Sequence, residues 1–175
     1  MDAHPGSDRT KAASGTYLSL LLAGEMYCID VMKIREILAA TTITPIPRTP
    51  EFIKGVINLR GRILPVIDLR VRFQMAQKPA ACIVIVESET TGGKIQMGIL
   101  ADEVCEVLHV AADKIEPVPS FNAQIDISFL LGISRSRERI VFLLDSDRAL
   151  NHEEFVSLEA ARTQMLESIS GKEES

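Results

Sequence analysis

The 175-residue sequence has no tryptophan and only 5% aromatic residues, so any sizeable core must be aliphatic. Its three cysteines, Cys28, Cys82 and Cys105, lie far apart without C-x-x-C spacing. An odd, scattered set points to reduced thiols in a cytoplasmic setting, buried as small hydrophobes. The three histidines, His4, His109 and His152, are isolated and lack metal-ligand spacing. There is no G-x-S-x-G, no P-loop and no G-x-G-x-x-G after a strand, so nothing assembles a catalytic centre. No apolar run approaches the roughly 18–20 residues that span a bilayer. Residues 1–14 are polar, lack the basic-then-apolar order of a signal peptide and read as a disordered tail. A net charge of −5 argues against nucleic-acid binding, whose footprint is basic.

What is present centres on Glu51 to Phe73. Two apolar runs, Gly55 to Leu59 and Ile63 to Leu69, flank Arg60-Gly61-Arg62. Val- and Ile-rich runs around a Gly-containing tip predict a β-hairpin with a loop of about three residues. Pro65 places the second strand at an edge or a bulge. Arg60, Arg62, Arg70 and Arg72 make a basic patch in an acidic chain, which suits an acidic protein partner.

The same pattern occurs twice. Gly55 through Ile63 aligns without gaps on Gly132 through Ile140, and Asp68 falls on Asp145 in the same frame. Upstream, Ile34, Glu36, Ile37 and Leu38 match Val104, Glu106, Val107 and Leu108, and Pro45-Ile46-Pro47 matches Pro117-Val118-Pro119. The drift between frames needs only loop insertions. The chain therefore reads as two tandem copies of one small β unit, 16–76 and 80–150, within a domain at 15–150. Asp68 and Asp145 read as a repeated turn cap rather than a paired-carboxylate site.

Taken in order, Tyr17–Ala23 and Met26–Ile29 predict paired strands about a turn at Gly24-Glu25. Asp30 then caps a short helical turn through Leu38, with Ile34, Ile37 and Leu38 inward and Glu36 outward. Asp102 to Leu108 repeats that turn with Glu106. Three prolines and four threonines make Thr41–Pro50 an extended connector. Ala81–Val86 is apolar enough for a strand buried on both faces. Ala111–Asn122 is the second connector, containing Phe121. Asn151-His152-Glu153-Glu154 reads as a helix start. Phe155, Leu158, Arg162, Met165 and Ile169 then follow helical spacing, predicting an amphipathic helix over 151–170 and a tail at 171–175.

F-I-K-G-V-I-N-L-R-G-R-I-L-P-V-I-D-L-R, preceded by I-R-E-I and P-I-P-R-T-P, closely resembles the CheW-type bacterial chemotaxis coupling proteins. The resemblance runs from about Tyr17 to the C-terminal helix. It implies a mainly β fold, two tandem SH3-like five-stranded β-barrels with short helical turns and a C-terminal amphipathic helix. It also implies a cytoplasmic, non-enzymatic adaptor without cofactor or metal, recruited to membrane receptor arrays through its partners. Those partners would be a methyl-accepting chemoreceptor tip and the regulatory domain of the chemotaxis histidine kinase. Carried over residue by residue, the receptor-facing surface falls on Ile34, Glu36, Gly55, Arg60 and Cys82. The kinase-facing contact falls on Phe121, beside Ser120 where the family often has an acidic residue. The competing reading is a β-barrel regulator that binds a ligand or oligonucleotide. It would need aromatics on a basic face, and most of the few aromatics here sit in apolar runs.

Overall fold

Ile83, Val84, Ile85 and Val86 are each at most 1% exposed, a strand with no solvent face. The computed structural model describes residues 15–76, 78–90, 93–119, 128–150 and 152–173. It shows why this strand has two dry sides: the strand separates two cores. The first copy supplies β1 (Gly15–Leu22), β2 (Glu25–Asp30), β3 (Ile34–Ala39), β4 (Ile53–Leu59), β5 (Arg62–Ile67) and a one-turn helix α1 (Leu69–Arg72). The second supplies β6 (Cys82–Thr90), β7 (Gly93–Ala101), β8 (Glu103–Val110), β9 (Leu130–Ser136) and β10 (Arg139–Leu144). A helix, α2 (His152–Glu173), follows.

The strands form two five-stranded sheets, ordered β8-β1-β2-β10-β9 and β3-β6-β7-β5-β4. Exchanging each strand for its counterpart in the other copy turns one order into the other. Each sheet thus combines the first two strands of one copy with the last three of the other. Gly55 and Gly132 lie on equivalent strands, β4 and β9. Asp68 and Asp145 follow equivalent strands, and each accepts a backbone N–H two residues on, at 3.0 and 3.1 Å. The repeated cap read from the sequence is there.

Each sheet encloses a small core. Tyr17, Cys28, Val110, Val141 and Leu143 fill the first, and Ile57, Leu64, Val66, Ile83, Ile85 and Leu100 the second. A larger cluster, including Leu20, Leu22, Ile29, Val84, Val86, Met97 and Ile99, joins the two sheets. Burying each such side chain contributes roughly 1.5–3 kcal/mol, so the joint core holds the two sheets together. Several of the few aromatics belong to it: Tyr27 stacks on Phe73 and Phe142 with ring centroids 5.7 and 5.1 Å apart. Burial pushes the Cys28 thiol up to about 12, which keeps it protonated and inert.

Several expectations need correcting. After Asp30 there is one 3-10 turn, Val31–Lys33, and then a strand. Ile34 to Leu38 lies on β3, and Ile37 points outward at 47% exposure. Asp102 to Leu108 likewise lies largely on strand β8. The hairpin tips are two-residue turns, Arg60-Gly61 and Arg137-Glu138, with all four residues at positive φ, the type I′ geometry that matches strand twist. Pro65 is on an interior strand with no bulge at its own position. It is tolerated because β7 ladders onto β5 only at Val66 and Ile67.

Two of the four arginines leave the expected basic patch. Arg70 is buried, binding Asp68 through Nε and Nη2 at 2.9 Å and Asp102 through Nη1 at 2.6 Å. Arg72 stacks over Phe52 and Phe129 and pairs with Glu154 of α2. Among the thiols, Cys82 is half-buried and Cys105 is exposed rather than buried. Helix α2 continues to Glu173, beyond the expected 170. It packs Leu158 fully, with Phe155, Ala161 and Met165 alongside, yet leaves Val156 and Leu166 exposed, so its amphipathic character is weak. The N-terminal segment 1–14, Thr91-Gly92 of the β6–β7 turn, Ser120, Phe121 and Asn151 lie outside the described residues.

Candidate functional site

β3 does not simply alternate. Ile34 stands opposite Val86, but Glu36 stands opposite Ile85, so Arg35 is an extra residue in a β-bulge. The bulge resets which face each side chain takes. Ile34 packs on the joint core with Val86, whereas Leu38 packs with Ile83 and Ile85 on the core of its own sheet. Glu36 shares that second face, at the mouth of the sheet's own core. Arg35 turns away and binds Glu87 at 2.8 Å.

Arg60 reaches Glu36 from the far side of the sheet. Asn58 accepts the Gly61 N–H at 2.9 Å and fixes the turn, and Arg60 takes a left-handed φ of 52°. Its guanidinium grips the carboxylate with both terminal nitrogens, Nη1 to Oε1 at 3.1 Å and Nη2 to Oε2. β3 and β4 are the two edges of this sheet, so the pair spans a seam and the sheet curls back on itself. The hydrogen bonds from Arg60 hold the Glu36 carboxyl below the usual carboxylate range and raise the guanidinium in turn. The side chains are 31% and 71% exposed, so both remain open to a partner.

The other three candidates are placed differently. Gly55 is buried at φ 144°, where a Cβ would lie 2.0 Å from the Thr44 carbonyl oxygen. Thr44 and Val56 exchange two backbone hydrogen bonds there, at 2.9 and 2.8 Å. Gly55 is therefore a place where the connector crosses the hairpin, and it can serve recognition only by setting the hairpin's position. Ile34 is half-buried beneath the edge. Cys82 starts β6 opposite Ala39, three residues or roughly 10 Å along from Glu36. It is half-buried, and burial raises its pKa. The structure thus brings Glu36 and Arg60 into contact, with the remaining three as their surroundings.

The other sheet repeats the arrangement. β8 carries the equivalent bulge, Leu18 facing Val107 but Leu20 facing Val104. Glu106 and Arg137 meet across the β8–β9 seam, more loosely, at 3.7 Å. Exposed apolar side chains at Met32, Val107 and Ile140 went unseen in the sequence, because an apolar residue at a solvent-facing position looks like core.

Two interlocked sheets displaying charge pairs on their seams define a binding module. Among the described residues no group of His, Cys, Asp or Glu is arranged to hold a metal. Residues 16–154 match the CheW-like domain, and the chain belongs to that family. It is 39% identical over 140 residues to the chemotaxis protein CheW of Klebsiella aerogenes, covering 79% of this chain and 82% of that protein. It is 31% identical over 138 residues to the chemotaxis protein CheW of Rhizobium meliloti, covering 78% and 88%. The crystal structure of the scaffolding protein TtCheW from Thermoanaerobacter tengcongensis superposes with a TM-score of 0.70 at 34% identity, over 81% of this chain and 90% of that one. The chain is accordingly a non-enzymatic scaffold of chemotaxis signalling. No helix among the described residues is long and apolar enough to cross a membrane.

Proposed function

We propose that this scaffold couples the signalling tips of methyl-accepting chemoreceptors to the regulatory domain of the chemotaxis histidine kinase. It would act in the cytoplasm and join membrane receptor arrays through those partners. Each curled sheet is taken as an SH3-like barrel closed at its β3–β4 or β8–β9 seam, within a domain of about 15–150. The observation that carries the proposal is the Glu36–Arg60 contact: a bidentate, solvent-accessible charge pair held on rigid strands. Exposed pairs add little to folding, so a fixed pair on a surface suits recognition. In this reading Glu36 and Arg60 meet the receptor, with Ile34 and Cys82 beneath and Gly55 fixing the hairpin. Ser120 and Phe121 would meet the kinase. The oligonucleotide reading loses support because Tyr27, Phe52, Phe73, Phe129 and Phe142 are engaged in the joint core or beneath Arg72.

Glu36→Ala and Arg60→Ala test this directly. Each is expected to leave Tm nearly unchanged and weaken binding of a receptor cytoplasmic fragment by about tenfold or more, with kinase-domain affinity retained. Equal losses toward both partners, or none toward the receptor, would overturn the assignment.

A further inference from the structure

The first hairpin tip has a second charged side. β5 and β7 run parallel but ladder only at Val66–Gly98 and Ile67–Ile99. Ahead of those pairs, toward Arg62 and Gly93, the facing edges carry no ladder partner, and a cleft opens between the strands. Its volume is about 430 Å³, and α2 forms a further wall through Arg162 and Leu166. Arg60 and Arg62 flank Gly61 but have separate neighbours. Arg60 is committed to Glu36, while Arg62 lines this cleft with Lys94 and Arg162.

The charge balance of the cleft is positive in a chain that is negative as a whole. No carboxylate among the described residues pairs with Arg62. Lys94 is 3.8 Å from Glu87, and Arg162 is 3.3 Å from Glu159. Glu87 is already answered by Arg35 at 2.8 Å, whose hydrogen bond holds that carboxyl below its usual range. Ile63, Leu64 and Ile95 line the same cleft, and Leu166 stands exposed on the wall. Three cations among apolar side chains, bordered by two open strand edges, match an extended peptide carrying carboxylates and an apolar anchor. We propose that this cleft docks an acidic, extended segment of a partner protein, with its carboxylates on Arg62, Lys94 and Arg162. The site stands whether or not Glu36 and Arg60 face a receptor.

The probe is a fluorescently labelled peptide of alternating glutamate and leucine, titrated with the full chain and followed by anisotropy. Binding is expected at low ionic strength and should weaken as salt rises. Arg62→Glu, Lys94→Glu and Arg162→Glu should each weaken it by about tenfold or more, with unchanged melting curves. Arg139→Glu, on the other hairpin, and Glu36→Ala should leave it intact. A lysine–leucine peptide should ignore the wild type and bind the Arg62→Glu, Lys94→Glu double variant. Three results would overturn the proposal: no binding to the wild type, an equal loss in Arg139→Glu, or complete displacement of the peptide by millimolar inorganic phosphate.

Discussion

Substituting alanine at Gly55 separates architecture from recognition. The new methyl would meet the Thr44 carbonyl oxygen at 2.0 Å and its carbon at 2.6 Å, both main-chain atoms that cannot rotate aside. The φ of 144° adds strain for any L-residue, at least about 1–2 kcal/mol. Relief requires the connector to lift, which breaks the two Thr44–Val56 hydrogen bonds at about 1 kcal/mol each. Together the cost is about 3–4 kcal/mol. At about 2–4 °C per kcal/mol for a chain of this size, Tm should fall by roughly 6–16 °C. Gly132→Ala is the internal control. There a Cβ lies 2.7 Å from both the Glu116 oxygen and the Ile115 Cγ2, but without a strained φ. Its loss should be about half as large or less. Calorimetry of both variants decides the matter. A Gly55→Ala protein melting within about 2 °C of wild type, or a Gly132→Ala protein that melts lower, would refute this account of the crossing.

Three further outcomes follow from the same geometry. Removing Arg70 leaves Asp68 buried and unpaired and frees Asp102, so Arg70→Met should cost about 3–5 kcal/mol in urea unfolding; a loss under about 1 kcal/mol would contradict the contacts. The Glu36 pKa is depressed in the folded state, so its pairing with Arg60 is present above the unfolded value and lost as pH falls through the folded one. By NMR the Glu36 carboxyl should titrate below 4.5 and move back toward it in Arg60→Ala, and an unshifted midpoint would mean no contact in solution. Expressed separately, residues 1–78 and 79–175 should each lack a cooperative melt and regain one when mixed, whereas independent melting of either half would deny the strand exchange.

The duplication was legible because both copies keep the same tip, cap and connector residues at matching places. The dry strand Ile83–Val86 was legible because a run without polar positions cannot face water. The bulge in β3 was not. One extra residue changes the face of all that follows, and no residue type marks it, so a 3.6-residue pattern at Ile34, Ile37 and Leu38 looked helical. Arg70 and Arg72 were misread for a related reason. Their partners Asp102, Phe129 and Glu154 are distant in sequence, and only the exchanged topology brings them near. Glu36 and Arg60, which the resemblance put on one surface, are in contact, although the local reasoning that pushed Glu36 outward assumed the wrong element.

The exchange of strands also bears on how a scaffold of this family can work. Had each copy closed its own sheet, the halves would meet only at a surface and could rock about the linker near Lys78. Here β1 and β2 are laddered to β8 and β10, and β6 and β7 to β3 and β5, so the chain crosses between sheets. The Lys78 carbonyl itself is held by Arg70 Nη1 at 2.6 Å, and Asp102 ties the same guanidinium to the β1–β2 turn through the Ala23 N–H. Displacing one sheet against the other would open the joint core and pull on the two connections, β2–β3 and β7–β8, where the chain crosses between sheets. Surfaces on the two seams are therefore held at a fixed mutual angle. A scaffold without chemistry has only geometry to offer, and an interlocked pair of sheets over one shared core holds that geometry.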